Sequence, residues 1–546
     1  MSESTGVPCP LCGTLPGHPA IPSVVQQFRS PRVQKLLSQN DPPLEMERSN
    51  IHEIITSGTT AVSLLDERIL EAQRILDTLI SEREQVRSCI NDARTLLHPI
   101  RTINDDILRE IFSWCVYDWE DIMSRRHRHH DSLGRLEPPW TLSHVSHRWR
   151  TISISSPRLW TSVILKFFTY SDLMVPHRTI MFKFGLQLER SRGCDLSVSL
   201  SSGLAGIGDH PILAMLDTSS SRWKYLRADL PPEGLKSLNG NSFLRLDTLI
   251  VRICARRNSP SRNMKVDTFQ SAPQLRTFRS LDDADPSRIL LLPWSNLTTY
   301  SCSDALNPHN VAILPRLSSV KTLILQFNGD SKHRTGSAAI SVPSVINLNL
   351  HETSKSPGAI CRLLASISFP SATLLNMSFP VSDDRIIHFP MHAIFSGLRT
   401  LQLTFNVSPD QNVRALLEFL TVAGNLVDLR LYMEAVPDSL LNGLTVSQSH
   451  RILPKLRTLT LQLFTSSAGV STFTPTLLFR MLRSHYVKEH GDVMSDGTAD
   501  SSSISTVVTG SLKELRLKAW RKLDFANLED QQSWNAICEE IKVVYG

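Results

Sequence analysis

Between residues 44 and 97, apolar side chains recur at alternating steps of three and four: Ile55, Val62, Leu65, Ile69, Ala72, Leu76, Leu79, Val86, Ile90, Ala93 and Leu97. This is the spacing of the two core positions of a heptad, interrupted at Gly58 and Arg83. Glu67, Arg68, Glu71, Arg74, Glu82, Arg83 and Glu84 fill neighbouring positions, so the pattern predicts one long helix with a narrow apolar seam and a charged surface. Such a seam has to be covered. A partner helix, from a second copy or from another protein, would do so, and so would folding back onto the chain's own body. The spacing leaves both open. Pro99 ends the helix, because its ring forbids continuation and biases His98 away from the helical region.

Two shorter amphipathic segments follow. Asn104 is a candidate N-cap, with Asp105 and Asp106 in the first turn where negative charge suits the helix dipole. Ile107, Leu108, Ile111 and Phe112 then form an apolar face at helical spacing. A second helix is predicted from about Trp140 to Ser153, its apolar side being Leu142, Val145, Trp149 and Ile152. Ser155-Ser156-Pro157 punctuates it, and Leu159-Trp160 leads into an apolar run from Val163 to Phe168. A charged insertion, 119–137, separates the two helices and contains Arg125-Arg-His-Arg-His-His130.

Beyond residue 240 the pattern changes to L-x-x-L-x-L. Units begin at Leu246, Leu275, Leu297, Val320, Val345, Ala372, Leu398, Leu426 and Leu456, spaced by 22 to 30 residues, and a last one begins at Leu512. Prolines at 273, 315, 343, 370 and 454 precede many of them, as a loop entering a strand would require. A unit of this kind is one short strand with a covering turn or helix, and it buries its apolar side only by stacking on its neighbours. The expectation is therefore an α/β fold: an irregular leucine-rich-repeat-like solenoid with a parallel sheet, spaced as that repeat class is. Strand alternation would put the x positions on the open face. Asn347, Asn349, Thr400, Gln402, Asp428, Arg430, Tyr432, Thr458, Thr460 and Gln462 are the candidate target-binding residues there, with His351 and Thr404 beside them. A helix is predicted near Thr474 to His485, and a polar flexible loop over about 486–510.

These readings divide 546 residues into a disordered Pro-rich tail (1–43), the long helix (44–97), a small helical region with its insertion (99–168) and the repeat array (169–546). The chain shows no stretch of eighteen apolar residues and no basic start followed by an apolar run, so neither a membrane span nor a secretory signal is expected. Nine scattered cysteines fit reduced thiols of the cytoplasm or nucleus. A formal charge of +6 over this length does not point to nucleic acid. Cys9-Pro-Leu-Cys12 has the spacing of half a zinc site, with His18 as a third donor, but no second pair lies near, so no metal and no cofactor is expected. His127, His129 and His130 sit among arginines that would repel a cation. No phosphate-binding loop, dinucleotide fingerprint, H-E-x-x-H or G-x-S-x-G elbow occurs, and no catalytic residue is assigned.

Pro99-Ile-Arg, Ile107-Leu-Arg-Glu-Ile-Phe112, Leu142-Ser-His-Val145-Ser-His-Arg-Trp149-Arg and Ser156-Pro-Arg-Leu-Trp160, in that order, resemble an F-box over about 99–161. With Cys9-Pro-Leu-Cys12, the phrase Leu36-Leu-Ser-Gln-Asn-Asp-Pro-Pro43 and the long helix, the chain is similar to the F-box proteins expanded in mushroom-forming fungi. It departs from them at Ile103-Asn104, where the family has Leu-Pro, at Ser146, where it often has Cys, and in the insertion. The resemblance implies a substrate-recognition adaptor, not an enzyme, of an SCF-type (Skp-cullin-F-box) ubiquitin ligase. A Skp-type adaptor would dock on Ile103, Ile107, Leu108, Ile111, Phe112, Leu142, Val145, Trp149, Leu159 and Trp160, some of them forming the small core beneath that interface. The repeat array would hold a target protein. The alternative is a ubiquitin-independent repeat scaffold that self-associates through residues 44–97.

Overall fold

The computed structural model describes residues 25, 28–39, 41–120, 131–134, 136–167, 178–204, 206–238, 243–254, 264–281, 286–303, 305–306, 308–327, 340–354, 357–380, 386–390, 397–406, 410–446, 452–463, 474–485, 512–518 and 528–545. Cys9, Cys12, His18, Arg125-Arg-His-Arg-His-His130 and the loop at 486–510 lie outside them. The chain forms two compact units, residues 1–105 and 106–546.

The first unit is dominated by one helix, Glu45–Leu96, within two residues of the span the heptad pattern predicts. Its first turn is fixed by Glu47, whose carboxylate accepts the Leu44 N–H at 2.8 Å and the Arg32 guanidinium at 2.7 Å. It stops three residues before Pro99, which opens a single turn, Pro99–Arg101, capped by the His98 imidazole accepting the Ile100 N–H. Ile54 is its one buried residue. The seam side chains Ile55, Val62, Leu65, Ile69, Leu76, Leu79, Val86 and Ile90 are 45–59% exposed.

The second unit is built on a parallel sheet. Its strands are Ser162–Phe167 (β1), Leu196–Ser202 (β2), Trp223–Leu230 (β3), Thr248–Ile253 (β4), Thr277–Ser280 (β5), Thr299–Cys302 (β6) and Thr322–Phe327 (β7). They continue with Asn347–Glu352 (β9), Leu374–Ser378 (β11), Thr400–Thr404 (β12), Asp428–Met433 (β13), Thr458–Leu463 (β14), Glu514–Lys518 (β15) and Lys542–Tyr545 (β16). Ile340–Ser341 (β8) and Ile367–Ser368 (β10) make a separate parallel pair. The fourteen strands of the main sheet follow one another in chain order, every pair parallel. All ten L-x-x-L-x-L segments are strands of this sheet, and β1, β2, β3 and β16 extend it beyond them.

The register explains why leucine recurs. Leu226, Leu249, Phe278, Tyr300, Leu323, Leu348, Leu375, Leu401, Leu429, Leu459 and Leu515 are successive cross-strand partners, and each is fully buried. One missed residue would slide a whole strand's apolar set to the other face, so this column fixes the pairing. Parallel strands need crossovers, and here helices supply many of them. Asp410–Val422, Asp438–Leu444, Pro475–Ser484 and Leu528–Glu540 pack each on the next, burying Leu416, Phe419, Leu441, Leu478, Leu482, Trp534 and Ile537 in the same core. In the earlier strands aromatic rings do this filling: Trp223 meets Phe243 at 5.5 Å, and Phe243 meets Phe269 at 5.1 Å.

The first strand's outward edge does not stay open. Ile164 exchanges two hydrogen bonds with Ser132, its carbonyl accepting the Ser132 N–H and its own N–H donating to the Ser132 hydroxyl, both at 3.0 Å. The Ser162 carbonyl accepts from the Gln187 amide at 2.7 Å, and the Ser162 hydroxyl donates to the Tyr117 carbonyl. Unpaired strand edges invite association, and these contacts blunt one. Trp119 stacks on Tyr225 at 4.8 Å, so both ends of the stretch read from sequence as a charged insertion pack on the sheet.

His485 closes the helix Pro475–Ser484, with Nε2 2.8 Å from the Leu444 carbonyl. Burial holds its pKa below the ordinary histidine value, against a smaller opposite effect of that carbonyl. The unfolded chain therefore takes up this proton at a higher pH than the folded chain, and stability is lost as pH falls through the unfolded pKa. The melting temperature is expected to drop between pH 7.5 and pH 5, and less so in His485→Gln, whose amide can still donate to Leu444. Equal drops in thermal melts of the two proteins would refute this role.

Candidate partner interface

The helix Asp105–Cys115 is apolar on two sides, and the structure separates them. Leu108 and Phe112, one turn apart, are fully buried, the Phe112 ring lying 4.8 Å from Trp149. On the other side Ile107, Ile111 and Trp114 stand at i, i+4 and i+7, exposed by 55%, 38% and 82%. The Trp114 indole N–H donates to the Glu110 carboxylate at 3.0 Å, which holds the ring along the helix. Two large isoleucines and a tryptophan in one solvent-facing stripe have the composition of an interface core rather than of ordinary surface.

The helix expected from Trp140 to Ser153 is broken. Leu142–Val145 is a single turn, Ser146 is extended (φ −156°, ψ 167°), and a new helix runs from His147 to Ser155. The Ser146 hydroxyl accepts the Trp149 N–H at 3.2 Å, a capping bond that helix-interior geometry would not give it. The break turns Val145 out, 61% exposed, while Leu142 stays in the core. Below them Trp160 is fully buried. Its indole N–H donates to the Ser153 carbonyl at 2.8 Å, its ring meets Trp140 edge-on at 4.9 Å, and the Arg190 guanidinium lies 4.5 Å over it.

The sequence-predicted docking residues thus fall into two groups. Ile107, Ile111 and Val145 are exposed, and Ile103 and Trp149 are half-buried. Leu108, Phe112, Leu142, Leu159 and Trp160 are buried and form the base. Trp114, the most exposed member of the stripe, escaped the sequence reading. Its signal was there in the i+7 spacing from Ile107.

On the sheet's open face the register aligns the predicted target-binding positions in rows. Asn347, Thr400, Asp428 and Thr458 belong to one row, and Asn349, Gln402, Arg430 and Thr460 to the next, with Asn376 between Asn349 and Gln402. Tyr432 and Gln462 share a third row with His351 and Thr404. The face is uncharged from Thr322 to Thr404: Asn347 donates to the Thr322 hydroxyl at 3.4 Å, and Asn376 to the Asn349 carbonyl oxygen at 3.2 Å. Burial pushes the His351 pKa down, so it too favours the neutral form. Charge enters at β13 and is paired locally: Arg430 donates twice to Asp428 (3.0 and 2.7 Å), and Arg516 and Lys542 both reach Glu514 at 3.1 Å. Nine of the ten predicted face residues are half-buried. Thr460 is the exception, 2% exposed in the row between Arg430 and Arg516, so it underlies that face rather than presenting a contact.

A cleft at the carboxyl end of β9 and β11 is lined by Glu352, Cys361, Arg362, Phe379, Ile387 and His388. The Glu352 carboxylate accepts the N–H groups of Gly358 and Ile360, at the start of the helix Ala359–Ser366. The Cys361 thiol donates to the His388 carbonyl, and burial pushes its pKa up to about 11. A thiol of that kind stays protonated at neutral pH and is a poor nucleophile. Among the described residues no three His, Cys, Asp or Glu side chains are grouped to hold a metal ion, and no described helix is long and apolar enough to cross a membrane. No family model matches the chain, and no curated protein matches it.

Proposed function

We propose that this chain is the substrate-recognition adaptor of an SCF-type ubiquitin ligase of the cytoplasm or nucleus. On this reading residues 99–161 are an F-box of the kind found in mushroom-forming fungi. The parallel array is then an irregular leucine-rich-repeat-like solenoid, and its open face holds a target protein. The observation that carries the reading is the exposed stripe Ile107–Ile111–Trp114, with Val145 also turned outward from the same region. An amphipathic helix whose inner face is already used by its own core offers its outer face to a groove on a partner. A Skp-type adaptor supplies that groove in the family the sequence resembles. The departure at Ile103-Asn104 removes a proline ahead of the helix and leaves the stripe itself whole. The chain then contributes proximity: holding target and ligase together raises their effective concentration, and chemistry belongs to the partner subunits. The uncharged, amide- and hydroxyl-rich face between Thr322 and Thr404 suits a target segment without strong net charge.

Titration of the full chain with a purified Skp-type adaptor tests this directly, with a saturable one-to-one complex as the expected result. No association at micromolar concentrations would remove the reading. A ubiquitin-independent repeat scaffold would then take its place, favoured by the exposed seam of the helix Glu45–Leu96.

A further inference from the structure

We infer that the helix Glu45–Leu96 pairs with the same helix of a second copy of this chain, parallel and in register, as a two-stranded coiled coil. The helix buries one residue, Ile54, while its seam is exposed along about five heptads. In proteins most helical stability comes from covering an apolar face rather than from propensity. The first third of this helix holds Thr56, Ser57, Gly58, Thr59 and Thr60, which are weak helix formers. The seam runs along the two heptad core positions, the spacing of a coiled-coil contact.

The heptad assignment selects the partner. Ile55, Val62, Ile69, Leu76, Arg83, Ile90 and Leu97 occupy the first core position, and Gly58, Leu65, Ala72, Leu79, Val86 and Ala93 the second. Four of the seven first positions are β-branched (Ile55, Val62, Ile69, Ile90), and the second holds Leu65 and Leu79 among smaller residues; β-branched residues at the first position with leucine at the second favour two parallel strands. In that arrangement Glu82 faces Arg87 of the second copy across the flank, and the symmetry repeats the pair. Ile75 likewise meets Ile80 of the second copy, widening the apolar strip. Arg83 is the one charged residue in the seam. It sits beside Glu82 of the second copy, and a single polar residue at this position specifies register and strand number at a cost in stability. Within one chain Arg83 and Arg87 both lean on Glu84, at 2.9 and 3.1 Å, leaving Glu82 available. The antiparallel alternative about the Leu76 and Leu79 layers sets Ile75 against Glu82 and Ile80 against Gln73, wasting both isoleucines. The dimer would double every target face, so a repetitive target gains avidity.

Light scattering on the full chain is expected to give twice the 61.3 kDa chain mass. The orientation is read from Cys89→Ser/Ile90→Cys, set against Cys89→Ser alone. Only the parallel pairing brings the two introduced thiols together, so a disulfide-linked dimer should form on mild oxidation in the first protein and not in the second. A doubled mass without that link overturns the pairing, and so does a single-chain mass at tens of micromolar. Leu65→Asp/Leu79→Asp alters two exposed side chains of the helix and should return the single-chain mass while the sheet of residues 106–546 keeps its fold. A doubled mass retained in that variant would overturn the proposal as well. The inference rests on this helix alone, so it stands or falls whatever the adaptor titration gives.

Discussion

Ile107→Asp/Ile111→Asp is expected to abolish binding of a Skp-type adaptor while leaving the melting temperature within about 2 °C of the parent. Both side chains are exposed, and neither belongs to the buried base of Leu108, Phe112 and Trp160, so the free protein loses little. In the complex each would place a carboxylate in an apolar contact with no partner. Central apolar anchors of an interface are worth about 2 kcal/mol or more each on truncation, and a buried unpaired charge adds to that. Together the two changes should cost about 4 kcal/mol or more, roughly a thousandfold in affinity. Trp114→Ala should weaken binding by a lesser factor, with the same unchanged melt. Leu108→Asp is the instructive contrast. It buries a charge in the base and should unfold the region, so its loss of binding would say nothing about the surface. Adaptor binding retained by the double variant, measured by calorimetric titration, would show that this stripe is not the docking face.

Trp160→Ala is expected to be the most damaging single truncation outside the leucine column. The ring is fully buried, and its removal leaves a cavity between Trp140, Arg190 and the start of β1. It also leaves the Ser153 carbonyl without the indole N–H that it accepts at 2.8 Å. Large aromatic truncations in cores cost about 3–5 kcal/mol, and an unsatisfied buried acceptor adds roughly 1–3 kcal/mol. Trp160 stands at the junction of the helical region and the sheet, so the loss should loosen both. A urea-unfolding midpoint like the parent's would contradict this packing. Leu159→Ala, with a smaller side chain at the same turn, should fall between the two.

The strands were the most legible part of this chain, for a physical reason. In L-x-x-L-x-L the spacing of two between the last leucines is the strand period itself, and the preceding leucine starts the next layer of core. That is why ten segments from Leu246 to Leu517 could be placed from sequence. The first strands lack the phrase. β2 reads Leu-Ser-Val-Ser-Leu-Ser-Ser, alternating in the same way but rich in serine, and β3 starts at Trp223, an aromatic where later units have leucine. β1 was visible only as an apolar run, because the L-x-x-L-x-L phrase is missing there too.

The proposed docking surface was legible as a region and not as a face. In Ile107-Leu108 and Ile111-Phe112 every residue is apolar, and periodicity alone does not say which pair a core takes. Phe112 and Leu108 went inward because Trp149 meets the Phe112 ring from the second helix. That contact depends on the break at Ser146, which a continuous-helix reading removes. Strand alternation alone would leave the open-face positions alike in exposure. Thr460 departs from that because its row neighbours Arg430 and Arg516 are long, and each bends toward an acidic residue two positions back on its own strand.

On the proposed reading a Skp-type adaptor is held by the outer side of the helix Asp105–Cys115 and leaves the sheet face free. Amide hydrogen exchange of the full chain, with and without the adaptor, measures this most directly. Slowed exchange across 105–115 and 142–149, with β9 to β14 unchanged, is the predicted result. Protection that falls on the strands, or none at all under saturating adaptor, would contradict it.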